Sequence, residues 1–172
     1  MANAASLTIS ATILPDEVAK TISNISVSYV PASSAEGWYY RLTNVITSSQ
    51  DLIEAKTYLQ KGSTPTGVDT GSATSTVATT DEVKFLFVKH LAVTDDGSTS
   101  NTSDSIYLCL DADAAAHNLA DAIEIGPNEC WFGRFNKVTV ADIHVISAVK
   151  AGAGGGSPAK IQCQVAAIIK DV

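Results

Sequence analysis

The chain has 172 residues, 45% hydrophobic and only 17% charged, with a formal net charge of −7 at pH 7 and a sequence pI near 4.7. That length suits a single domain, residues 1–172, able to bury a core without disulfide or metal staples. An acidic chain with no basic cluster is a poor match for phosphate backbones or anionic membranes, so neither nucleic acid nor membrane is expected as a partner.

Ser, Thr and Asn dominate the polar fraction, which favours strands and turns over helix interiors. Residues 7–14 alternate apolar with small polar side chains up to Pro15 and predict a half-buried strand. Residues 16–20 allow one helical turn, and 22–30 give a second strand ending before Pro31. After a loop over 31–37, residues 38–46 open on Trp38-Tyr39-Tyr40 and predict a third strand. Residues 51–61 fit a strand, with a short helix as the alternative, because Leu52, Ile53, Ala55 and Leu59 partly follow helical spacing. Residues 62–80 hold Gly, Ser, Thr, Ala and Pro with almost no large apolar residue. They predict a long flexible surface loop, either a functional arm or a plain connection.

Residues 81–93, with Phe85-Leu86-Phe87-Val88, predict a central buried strand. A polar turn over 94–104 leads to a strand at 105–111, expected to pair with its predecessor as a hairpin. Residues 112–119 allow a turn of helix. Residues 122–125 then run into the turn Gly126-Pro127-Asn128-Glu129, and 130–135 read as a strand. Residues 138–149 look extended, 152–157 with three successive glycines mark a hairpin loop, and 159–169 alternate as the closing strand. The expected fold is all-β, an antiparallel β-sandwich or jelly roll with at most one or two short helices.

The residue types that carry chemistry are scattered. Cys109, Cys130 and Cys163 are odd in number, widely spaced and set among apolar residues, which predicts buried free thiols in a reducing cytosol. His90, His117 and His144 lack the close spacing of zinc ligands; His90 and His144, within strands, are expected to be structural and His117 exposed. No G-x-S-x-G elbow or phosphate loop is present, and Gly152-Ala153-Gly154-Gly155-Gly156 lacks the Lys-Ser/Thr that would make one. Asp95-Asp96-Gly97-Ser98 and Asp111-Ala112-Asp113 do not follow an EF-hand loop and are read as aspartates capping turns. No catalytic, cofactor-binding or metal residues are therefore expected. Residues 1–6 lack the regions of a secretory signal, and no apolar run approaches the roughly 18 residues of a membrane span. Trp38, Tyr39, Tyr40, Trp131, Phe132 and Phe135 are expected mostly in the core or, where exposed, as a sugar-stacking or protein-docking patch.

Four stretches together resemble small virion structural proteins of tailed bacteriophages: Phe85-Leu86-Phe87-Val88-Lys89-His90, Ser105-Ile106-Tyr107-Leu108-Cys109-Leu110-Asp111, Ala122-Ile123-Glu124-Ile125 followed by the Gly126-Pro127-Asn128-Glu129 turn, and Val140-Ala141-Asp142-Ile143-His144. The resemblance covers the second half of the chain. It implies a non-enzymatic capsid decoration (cement) protein, with a tail, neck-adaptor or fibre component as the alternative. The implied partners are the major capsid protein or other virion proteins. A homo-oligomer, a trimer first, would sit on the virion assembled in the host cytoplasm. A carbohydrate-binding β-sandwich using Trp38, Tyr40 or Trp131 is the reading of a different class.

Overall fold

The computed structural model describes residues 5–11, 22–29, 35–55, 58–59, 75–149 and 158–172. Twelve strands run through them: β1 (Ala5–Ala11), β2 (Ile22–Tyr29), β3 (Glu36–Val45), β4 (Gln50–Asp51), β5 (Tyr58–Leu59), β6 (Ser75–Thr76), β7 (Glu82–Thr94), β8 (Asp104–Cys109), β9 (Ile123–Ile125), β10 (Cys130–Arg134), β11 (His144–Val149) and β12 (Ile161–Lys170). Eight of them form two four-stranded antiparallel sheets, β10-β7-β12-β3 (sheet I) and β4-β11-β8-β9 (sheet II), while β1-β2 and β5-β6 are separate two-stranded pairs.

The strand orders define a jelly roll. The pairs β3 with β12, β4 with β11, β7 with β10 and β8 with β9 are nested, as in one long antiparallel ribbon whose tip joins β8 to β9. Rolled up, that ribbon makes almost every connection cross from one sheet to the other, the Greek-key arrangement of such sandwiches. The core lies between the sheets. Leu86 and Val88 of β7, Cys163, Val165 and Ala167 of β12 and Tyr39 of β3 meet Ile106 and Leu108 of β8 and Val145 of β11. In β12 the period-2 pattern places Ile161, Cys163, Val165, Ala167 and Ile169 inward, all fully buried.

Two bulges shape β7. Ile168 faces Phe85 but Ile169 faces Val83, so Lys84 is an extra residue that lets both Val83 and Leu86 point inward. A second irregularity lies between Thr94 and His90, where Ala92 adopts the left-handed φ of 57°.

The structure corrects several expectations. The strand at β8 does not pair with β7, since the two lie in different sheets, and the polar 95–103 segment is a crossover. Likewise β11 and β12 are in different sheets, so the glycine-rich stretch does not join a hairpin. The described residues within 51–61 form neither one strand nor a helix: β4 ends at Asp51, and Leu52 and Ile53 turn into the core. Val140–Asp142 is a 3-10 turn, capped by the Thr139 and Asp142 pair, where extended chain was expected. The possible turn of helix at 112–119 is a non-helical connection. It crosses the outer face of sheet II, with Ala115 N–H donating to Ser49 Oγ and His117 edge-on to Tyr107. The helical turn at 16–20, most of the 62–80 loop and the stretch 152–157 lie outside the described residues. The end of that loop is tied down: β6 pairs with β5 and Val77 is buried.

Candidate functional site

The outer face of sheet I carries side chains that the core between the sheets does not explain. Registers place Arg134, Phe85, Ile168 and Trp38 side by side across β10, β7, β12 and β3. The next row outward is Phe132, Phe87, Ala166 and Tyr40, and the one after it Cys130, Lys89, Gln164 and Leu42. A sheet face open to water normally carries polar side chains at these positions. Here two rows of three are apolar apart from Arg134 and the Tyr40 hydroxyl.

The face is graded from closed to open. In the first row Phe85 and Ile168 are 5% and 0% exposed, packed with Tyr29, Trp38, Phe87 and Phe132. Tyr29, the last residue of β2, donates its hydroxyl to Glu36 Oε1 at 2.9 Å and lies 5.3 Å beneath the Arg134 guanidinium. Burial, then the hydrogen bond to Glu36, push its phenol up to about 12. In the third row Leu42 is 55% exposed and Cys130 is exposed too. Between them, Gln164 Nε2 donates to Tyr40 Oη at 2.6 Å and fixes the phenol ring. The Trp38 indole N–H is buried without a hydrogen-bond partner among the described residues, which costs about 1–3 kcal/mol unless something supplies an acceptor.

The other singled-out residues go elsewhere. Trp131 points to the opposite side of β10, packing on the core and stacking on Phe135 at 6.0 Å, so it shares no platform with Trp38 and Tyr40. Cys109 and Cys163 are buried and burial raises both thiols, Cys163 to about 12; Cys130 is exposed, against the expectation of three buried thiols. His117 is exposed. His144 is half-buried with Nδ1 3.2 Å from Asp51 Oδ1. Asp96 accepts from Thr94 Oγ1, Ser98 N–H, Thr99 N–H and Thr99 Oγ1, which hold its carboxyl well below the usual range. That is a turn cap ringed by donors, where a cation site needs converging oxygens. Asp111 caps Asp113 N–H in the same way. Among the described residues no group of three or more His, Cys, Asp or Glu is placed to hold a metal ion.

One cluster does bring His, Asp and Ser together. His90 Nδ1 accepts from Ala92 N–H at 2.9 Å, so its Nε2 carries the proton and donates to the Asp104 carbonyl at 3.2 Å. The Asp104 carboxylate accepts from Asn101 Nδ2 and Ala159 N–H, and Ser147 Oγ donates to the Ala159 carbonyl. His90, Asn101, Asp104 and Ser147 are buried and the His90 ring nitrogens are taken by backbone, so the cluster welds the end of the sandwich. A cleft of about 500 Å³ between β3 and β4 is also lined by groups that satisfy one another, with Arg41 paired to Glu54 and Gln50 bonded to the backbone at residues 44 and 46.

No family, curated protein or solved structure matches the chain. The aromatic face therefore stands on its own geometry. It had a signal in the sequence: Trp38-Tyr39-Tyr40 and Phe85-Leu86-Phe87-Val88 are apolar at consecutive positions, which in a strand means cover on both faces.

Proposed function

We propose that the chain is a non-enzymatic virion structural protein of the capsid decoration type, docking on an assembled head through the open end of its aromatic sheet face. The observation that carries the reading is the gradient across sheet I, closed at Phe85 and Ile168 and open at Leu42. A monomer rarely leaves an aromatic sheet face partly bare without a surface to cover it. The jelly roll supports the class, because capsid and lectin domains use this architecture, although the fold alone assigns no function. The resemblance to tailed-phage virion proteins chooses the shell, with the major capsid protein as partner and a trimer as the oligomer. A component of the tail, neck or fibre is the same reading at another address.

Stabilisation would follow from mass action. A ligand that binds the assembled shell and not the free subunit contributes about 2.7 kcal/mol per site at a hundredfold excess over Kd. Tyr40 and Phe132 would be the anchors, since buried aromatic side chains at a desolvated centre dominate such interfaces, with Leu42 packed beside them. The test is co-sedimentation with shells against binding to unassembled subunits, together with copy number in purified particles. Saturation at many copies per shell, lost in Leu42→Asp, is expected. Equal affinity for free subunits would overturn the reading, and a fixed handful of copies would move it to the neck or tail.

One observation favours a second reading. Trp38 and Tyr40 lie in adjacent rows of one face, with the Tyr40 ring held by Gln164, as in a stacking platform for a sugar. Retention on a glycan array, abolished by Tyr40→Ala, would select it.

A further inference from the structure

We propose that the β1–β2 hairpin is the native cover of the closed end of sheet I, laid on it by its apolar face and supplied by the same chain. The inference is independent of the virion reading. Register carries the first step. Leu7 pairs with Val27, Ile9 with Ile25 and Ala5 with Tyr29, whereas Ser6 pairs with Ser28 and Thr8 with Ser26. Between Ala5 and Ile9 one register face of the ribbon thus carries apolar residues and the other Ser and Thr. A lone two-stranded hairpin is marginal in water, so such a face needs a surface to bury against.

The contact point identifies that surface. Tyr29 belongs to the apolar set, and it is this residue that packs on Phe85 and Ile168 and sits under Arg134. Its hydroxyl bond to Glu36, the first residue of β3, anchors the end of the hairpin beside the sheet edge. Length also agrees. The eight residues of β2 extend about 26 Å, against about 14 Å between the outer strands of a four-stranded sheet. Sheet II offers a parallel, since its outer face is covered by the 110–122 connection of the same chain.

Trp38 reports on the cover. In the full-length Trp131→Phe protein its fluorescence is the only indole signal. Adding Ile9→Asp with Val27→Asp should shift the emission to the red and raise acrylamide quenching severalfold, with the far-ultraviolet strand signal kept. Thr8→Asp with Ser26→Asp, on the polar face, should leave both unchanged. Should the first pair unfold the chain, the milder Val27→Ser carries the same expectation. Unchanged quenching in the apolar-face variants, or equal effects from both faces, overturns the proposal. Quenching of the parent protein that rises on dilution also overturns it, because the cover would then come from a second copy.

Discussion

His90 holds a backbone conformation that its sequence neighbours do not favour. An alanine in the left-handed region costs about 1–2 kcal/mol, and Ala92 is kept there by its N–H bond to His90 Nδ1 and by its carbonyl, which accepts from Asn101 N–H. A proton on Nδ1 would remove the first of these bonds. Burial already lowers the His90 pKa from its ordinary 6.5. The unfolded chain then binds the proton more readily, so His90 contributes stability that is present in full above 6.5 and is lost as the pH falls from there towards the folded-state value. We expect the melting temperature to drop on going from about pH 7.5 to about pH 5.5. His90→Gln should be less stable than the parent at the higher pH, by a margin that narrows at the lower one. Parallel pH curves for the two proteins would refute the assignment. That His90 is structural was legible from its place in a strand. The bulge it supports was not, because nothing in Lys89-His90-Leu91-Ala92 announces a positive φ.

At the scale of elements, β10 shows how one glycine lets an edge strand close the core. A Cβ at Gly133 would stand 2.5 Å from Trp131 Cη2 and 3.3 Å from Phe135 Cζ. The two rings stack across this position, so a Trp131 ring that moves aside for the added methyl disturbs that stack. Gly133→Ala should therefore lower stability by about 1–3 kcal/mol, the usual cost of overpacking. Combining it with Trp131→Leu should recover part of that loss, because the clashing ring is gone. Thermal melts of the two single variants and the double variant decide it, and strictly additive losses would refute the clash. Most strands were legible, β7 and β12 within a residue or two, because their alternation is long. Their pairing was not. A polar turn between two strands reads as a hairpin whether the chain folds back in one sheet or crosses to the other, as happens between β7 and β8. The 138–143 stretch misled for a related reason: Val138, Val140 and Ile143 are apolar in a 3-10 turn as they would be in a strand.

The whole molecule is a ribbon rolled so that its ends meet, which makes the two termini unequal. β12 lies in the middle of sheet I, hydrogen-bonded to β7 on one side and to β3 on the other, and its inward residues are fully buried. The chain beyond it is also held, because the buried Asp81 carboxylate accepts from Val172 N–H and from Ala78 N–H. β1 and β2 belong to neither four-stranded sheet. Removing residues 161–172 should abolish the cooperative transition, since it splits sheet I and exposes the core. Removing residues 1–29 should leave that transition in place at a lower temperature, with only the outer face of sheet I uncovered. Calorimetry of the two truncated chains separates these outcomes, and a cooperative melt from the chain lacking β12 would refute the ribbon closure. The same asymmetry explains what could be read of function from sequence. Local alternation reveals a strand and its two faces, but the aromatic face exists only because β3 and β12, near opposite ends of the chain, are brought side by side. Trp38 and Ile168 are neighbours only in the rolled ribbon, so no local pattern could have joined them.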